Sequence, residues 1–262
     1  MKRLDRRALF ASGAAAALLA ASGLSADTLP RRGGRLRIAA ADGEGVMAVA
    51  RGAVFETLTE VGPGGLLRGE LATGWHGSAD ARHWQIDLRP DAVFHDGRPF
   101  TARDASATLM SRTSPVRSRI DVVRTTRGAL EVTLKAGDPD FPYRLADPDL
   151  SIAPADVDSS NMDAWAGTGL YRVVTARNGR QYLGRRVDAH WKDGEAGWID
   201  TIEVLAITDP DVRLEALRDG HVDVIEDADG LVCADHVGQP RVISDRGRLD
   251  DGRIAERWWI AG

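Results

Sequence analysis

The chain has 262 residues, 43% of them hydrophobic and 28% charged, with a formal net charge of -5. That length buries a sizeable core in one large or two small domains. The acidic balance excludes a general nucleic-acid surface, which needs a concentrated basic face.

The first 26 residues read as an export signal: a basic start, MKRLDRR, then the apolar run ALFASGAAAALLAASGL and small residues at Ser25 and Ala26. The run is short and alanine-rich for a span of ~20 strongly apolar residues, so no stable membrane insertion is expected. Arg6 and Arg7 before Ala8-Leu9-Phe10 resemble a twin-arginine signal, with Asp5 where serine or threonine is usual. An ordinary secretory signal is the alternative, and both predict a periplasmic destination. Without residues 1–26 the chain keeps 30 basic and 38 acidic residues, a net charge of -8. Cys233 is the one cysteine, so no internal disulfide forms and no lipidated cysteine anchors a mature N-terminus.

RLRIAAA (35–41) predicts a strand and VMAVARGAVFETLTEV (46–61) mostly helix. Between them Gly43, Gly45 and Ala48 fit G-x-G-x-x-A, the dinucleotide pattern. No second strand ending in an acidic residue follows at the needed distance, which favours a flexible trimmed loop. In HWQIDL (83–88) Trp84, Ile86 and Leu88 alternate with polar residues, the period of a half-buried strand. ALEVTLK (129–135) repeats the pattern with Leu130, Val132 and Leu134.

Between these strands lies FHDGRPFTARDASATLM (94–110), where His95 beside Asp96 suits either a metal or a strand-to-helix corner. Asp96-Gly97 supplies a tight turn, Pro99 stiffens its exit, and Thr101 with Asp104 caps a helix whose apolar side holds Ala105 and Leu109. A metal needs more ligands, and His76, His83, His190, His221 and His236 show no paired spacing. Phe94, His95, Asp96, Gly97, Pro99, Thr101 and Asp104 are therefore read as scaffold, with no metal, cofactor or catalytic residue.

From Trp165 a second block begins. Two strand-like runs meet at Asn178-Gly179, a strong hairpin signal. WIDTIEVLAI (198–207) predicts a central strand. A helix follows, with Asp209 as cap, Pro210 in the first turn and Gly220 at the exit, then a strand at Val222 and Val224, a parallel crossover. Cys233 and His236 suggest a thiol with a base, but no third orienting group is evident, so an ordinary thiol is favoured. Asp138, Asp140, Asp147 and Asp149 do not match a calcium loop and are read as capping loops. Trp258 and Trp259 are read as adjacent on a closing strand, facing opposite sides; the alternative is an exposed aromatic that attracts a partner.

The stretch from Gly69 to Met110 resembles the signature region of the family 5 extracellular solute-binding proteins, the oligopeptide, dipeptide and nickel receptors of ABC importers. It carries their LA-x-x-W strand (Leu71, Ala72, Trp75), the LR-x-x-V-x-F-H-D-G run (Leu88, Arg89, Val93 to Gly97) and P-x-T-A-x-D (Pro99, Thr101, Ala102, Asp104). Gly167, Gly169 and Tyr171 are similar to the family's GTGPY strand, with Leu170 where proline is usual. The resemblance runs from about Gly33 to Asp227.

It implies a mixed α/β fold: a periplasmic binding protein-like lobe from 27–50 and 163–262, with a small α+β domain inserted at 51–162. The family's third lobe, which closes on ligand, has no counterpart, and no ligand-contacting residue is carried over. The implied function is binding and delivery of short peptides or a related small solute to an ABC importer permease, without catalysis. The alternative is a non-transport interaction module, with a protein partner on the face that the third lobe would cover.

Overall fold

The computed structural model describes residues 32–62, 65–157, 161–228, 230–234, 240–244 and 254–258. The expected export signal, His236 and Trp259 lie outside these residues. Strand β1 (Arg35–Ala40) leads into helix α1 (Gly43–Val54). The helix forms because Val46, Val49, Ala50 and Ala53 recur at helical spacing and are fully buried. Its expected continuation to Val61 does not occur. The Val54 carbonyl accepts the Gly169 N–H at 2.9 Å, a bond from a distant loop that replaces the next helical turn. The chain instead extends into β2 (Thr59–Val61), which pairs with β3 (Leu67–Gly69).

A small unit follows, of β4 (Ala72–Gly77), β5 (His83–Leu88), helix α2 (Ala102–Met110), β6 (Ile120–Thr126), β7 (Ala129–Leu134) and the short helix α3 (Phe141–Arg144). Its sheet is antiparallel, in the order β4-β5-β7-β6. Trp84 lies opposite Val132 and Ile86 opposite Leu130, so the alternating faces meet across one ladder. Ala105 and Leu109 of α2 close the same core with Phe94, Phe100 and Phe141.

The chain then completes the large sheet with β8 (Tyr171–Arg177), β9 (Gln181–Arg186), β10 (Thr201–Ala206), β11 (Val224–Asp227), β12 (Gly230–Ala234) and β13 (Pro240–Ser244). The order is β13-β12-β11-β1-β10-β9-β8. Helix α4 (Pro210–Arg218) links β10 to β11, and both strands run parallel to β1 on either side of it. Asp209 accepts from Asp211 N and Val212 N, and Gly220 turns out with φ 69°. Gly179, in the β8–β9 turn, has φ 64°.

Two cores result. One joins β1 and α1 to Met162 through Leu231; the other runs from Leu58 to Ile152. Ala53, Val54, Phe55 and Met162, within the stretch 51–162 expected as the insertion, pack on the first core. The last described element, α5 (Ile254–Arg257), is a helical turn, and Trp258 just beyond it packs on the first core; the closing strand expected at Trp258 and Trp259 lies in part outside the described residues.

Candidate functional site

Two places bring polar chemistry together. The first is the edge where the parallel trio β10, β1 and β11 ends, the position at which open α/β sheets bind ligands. The Ala41 N–H donates to Glu226 Oε2 at 2.9 Å, and Asp42 Oδ1 accepts from Glu44 N and Gly45 N at 2.8 and 3.0 Å. Glu226 and Asp227 end β11 beside them. The lip is acidic, and the Glu44 and Gly45 N–H groups at its helix start are already taken by Asp42. A dinucleotide pyrophosphate needs those donors free. Gly43 is accounted for by packing, since a Cβ there would lie 2.8 Å from Gly179 O. After α1 the chain departs into the small unit instead of forming the next parallel strand, so the G-x-G-x-x-A match has no dinucleotide context.

The second place is the seam between the two cores. His95 N–H donates to Gly167 O at 2.8 Å, and the ring Nε2 donates to Gly169 O at 2.7 Å. His190 Nε2 donates to Thr168 O at 2.9 Å, while its Nδ1 accepts Lys192 N–H at 3.1 Å. Two histidines from different units thus grip one loop. Carbonyls only accept, so both rings carry their proton on Nε2. The buried Nδ1 of His95 has no partner among the described residues. Burial, reinforced by His190 and Arg172, holds the His95 pKa below 6.5 against opposing contributions from Gly169 O and Glu56. Gly167 and Gly169 are required where they stand: a Cβ on either would fall 2.0 or 2.6 Å from the carbonyl of Val54 or Ala53. Tyr171 is buried, donating to Ile199 O at 3.0 Å, and desolvation drives its pKa upward.

Beneath this loop lies Lys192, 2% exposed. Its Nζ is 2.5 Å from Glu70, 3.1 Å from Glu256, 3.4 Å from Glu60 and 3.5 Å from Glu56. Glu56, Glu60 and Glu70 come from the stem of the small unit, and Glu256 from α5. Trp191 Nε1 donates to Glu56 Oε1 at 3.0 Å, Arg68 pairs with Glu60, and the Arg89 guanidinium stacks 3.7 Å above the Trp191 ring. The carboxylates of Glu60, Glu70 and Glu256 converge within 4.8 Å, the spacing of a metal cage, but the Lys192 ammonium sits among them and supplies the positive charge itself. The seam is an ionic bolt joining three chain segments.

Other sequence candidates do not converge. Asp96 pairs with Arg98 at 2.7 Å and its carboxyl is held below its usual range by that guanidinium. Asp104 accepts Thr101 N at 2.9 Å and the Thr101 hydroxyl at 2.6 Å, and its other oxygen accepts Ala155 N at 2.9 Å. Phe94 stacks edge-on with Phe100 across the turn where Gly97 has φ 88°, and Val93 bridges to Pro99. Asp138 binds Arg119 and Arg144, and Asp149 binds Arg51. Asp147 caps the 3-10 turn 148–150. Cys233 lies half-buried on β12. Sequence reasoning missed the bolt. Its signals were Lys192, one of three lysines in an arginine-rich chain, and Glu56 and Glu60 inside an apolar run.

Residues 67–232 match the profile of the bacterial extracellular solute-binding proteins, family 5 Middle. The chain is 28% identical over 202 residues to the Nickel-binding periplasmic protein of Escherichia coli (strain K12), covering 71% of this chain and 38% of that one. It is 32% identical over 126 residues to the HTH-type transcriptional regulator SgrR of the same strain, covering 46% of this chain and 23% of that one. Among solved structures it is similar to the PBP AgaA in complex with agropinic acid from A. tumefaciens R10, with TM-score 0.66, 25% identity, and coverage of 73% of this chain and 43% of that one. It is also similar to the periplasmic binding protein DppA from Helicobacter pylori in complex with peptide STSA, with TM-score 0.65, 20% identity, and coverage of 76% and 48%. The chain therefore spans less than half the length of these proteins. Motif, topology and profile agree: the chain belongs to the family 5 bacterial extracellular solute-binding proteins.

Proposed function

We propose that the chain is the sheet lobe and small domain of an exported, periplasmic receptor that holds a short peptide or related small solute for an ABC importer permease. Export is by a twin-arginine or Sec signal, and no chemistry is performed on the ligand. The supporting observation is the acidic character of the carboxyl ends of β1 and β11, where Asp42, Glu226 and Asp227 stand at the edge at which open sheets take ligands. Such a lip suits the ammonium of a peptide or a complexed cation. Similar proteins bind nickel, agropinic acid and the peptide STSA, so the class of ligand is broad while the lobe is constant.

The test is thermal stabilisation of the secreted protein by a library of di- to pentapeptides and by nickel with L-histidine. A bound ligand raises the melting temperature saturably, following RT ln(1 + [L]/Kd). Asp42→Asn keeps the helix cap, because asparagine caps as well as aspartate; with Glu226→Gln it should weaken the ligand's effect without unfolding the lobe. A melting temperature unmoved by every probe sinks the receptor reading. It would favour a non-transport interaction module with a protein partner. That second reading draws support from the likeness to SgrR, which is named as a transcriptional regulator.

A further inference from the structure

The two faces of the large sheet are covered unequally. Helix α1 packs on one face of β8, β9, β10 and β1. On the other face, α4 covers Ala39 of β1, Ile225 of β11 and Val232 of β12. No described helix covers that second face over β10, β9 and β8.

Strand alternation and register fix what stands there. Tyr171, Ala176, Tyr182, Ile202 and Val204 point into the first core, so their neighbours point out. One row across the sheet is Arg35, Thr201, Arg185 and Arg172. The next is Arg37, Glu203, Leu183 and Thr175, and the last is Ala39, Leu205, Gln181 and Arg177. Arg35 pairs with Glu203 and Arg37 with Asp223. Arg172, Arg177 and Arg185 are exposed and make no ion pair among the described residues. Between them Leu183 and Leu205 are only half-buried.

Arg172 and Arg185 are direct cross-strand partners. Like charges so placed destabilise a sheet, and an opposite charge at either position would stabilise it. A chain of net charge -5 has ample acidic side chains, yet among the described residues none forms an ion pair with these three guanidiniums. The adjoining edge of β8 is not what is offered, because Ala176 N–H is taken by Asp163 Oδ1 at 2.7 Å. Among the described residues the face is open: Leu183 and Leu205 stand in its middle beside Glu203, which Arg35 holds, and Arg172, Arg177 and Arg185 surround them, opposite in sign to the molecule as a whole.

We infer that the outer face of β8–β10, with Arg172, Arg177 and Arg185 around Leu183 and Leu205, docks an acidic protein segment. The guanidiniums bind its carboxylates, in forks where geometry allows, and the leucines bury an apolar residue between them. The face meets the ligand lip only at its Arg177 end, where Gly179 packs on Gly43, while Arg172 and Arg185 stand at the opposite end, so the inference does not depend on the receptor reading.

The test uses the full secreted chain with a fluorescein-labelled decapeptide of glutamates interrupted by one leucine, its lysine counterpart, and phosphatidylglycerol vesicles. Arg172→Glu is the informative variant, since it sets a carboxylate opposite Arg185 and should leave the melting temperature equal or higher. The acidic peptide is expected to bind the parent chain, to weaken as salt rises, and to lose about tenfold or more in affinity in Arg172→Glu. Arg177→Glu should do the same to a smaller degree. Equal affinity for parent and variant, or no binding of the acidic peptide, overturns the inference. So does binding of the vesicles alone, which would make the face a membrane contact. Loss of solubility in Arg172→Glu without any change in peptide affinity would mark the arginines as guards of an edge strand, and overturns it equally.

Discussion

The small unit and the sheet lobe are built on opposite plans. The small unit draws its core from one continuous stretch, Leu58 to Ile152, and its strands pair antiparallel with near neighbours. The lobe assembles β1 between β10 and β11, strands more than 150 residues away in sequence, as Arg35 opposite Thr201 shows. Local pairing closes short loops, whereas the lobe orders a long loop before its contacts form. The two meet at a seam that is polar where both cores are apolar, held by one lysine, four glutamates and two histidines. Apolar packing makes each unit, and the ionic seam fixes how they sit together.

The most severe way to break this comparison is at its bolt. Lys192→Met leaves Glu56, Glu60, Glu70 and Glu256 buried around an apolar chain, and removing one partner of a buried ionic group costs about 3–5 kcal/mol. Chemical denaturation should show that loss, and Lys192→Met with Glu70→Gln should recover part of it. A change under about 1 kcal/mol, the level of an exposed pair, would contradict the buried role.

Next in size is the loop that both histidines grip. Gly169→Ala forces a Cβ against the Ala53 and Val54 carbonyls, an overpacking expected to cost about 1–3 kcal/mol, whereas Gly194→Ala meets nothing within 4 Å. At Gly194 the backbone strain of φ 86° is the remaining cost. Equal losses at the two sites would show that the close approach does not matter.

Within the small unit the cap can be dissected. Asp104→Ala removes acceptors for Thr101 N, the Thr101 hydroxyl and Ala155 N, and should cost more than Thr101→Ala, about 2 against about 1 kcal/mol. The reverse order would mean that threonine, not aspartate, carries the corner.

The finest probe is pH. His95 has a folded pKa below its ordinary 6.5, so below pH 6.5 the unfolded chain binds a proton that the folded chain does not. Stability should be level above that pH and fall as the solution is acidified towards the folded pKa, by at most about 1.4 kcal/mol per pH unit. The carboxyls of Asp96, Asp138 and Asp193, held below their usual 3.8 in the folded chain, act in the same direction only near and below that value. His95→Gln keeps a donor for Gly169 O and should remove the slope just below pH 6.5. An unchanged slope would place the titrating group elsewhere.

Much of the small unit was legible from order alone. Alternation in HWQIDL and ALEVTLK named the buried faces, and Asp96-Gly97 with Thr101 and Asp104 named the corner, because turns and caps are set by neighbours a few residues apart. The second block was as readable: Asn178-Gly179, Asp209, Pro210 and Gly220 mark the hairpin and α4. The seam was not. Glu56 and Glu60 continue an apolar run that reads as helix, and only the Gly169 N–H on Val54 O decides that the helix stops.

The sequence by itself determined the family, the strand and helix periods, and the local chemistry of the corner, since each depends on side chains adjacent along the chain. Tertiary structure alone decided that His95 and His190 share one loop, that Lys192 occupies the space among four glutamates, and that three arginines stand together on a face no described helix covers. The first two join segments as far apart in sequence as His95 and Gly169 or Glu60 and Glu256, and a buried charge can be balanced only by groups that the fold brings to it; the arginines are close in sequence, and what the fold decides is that no described helix covers them.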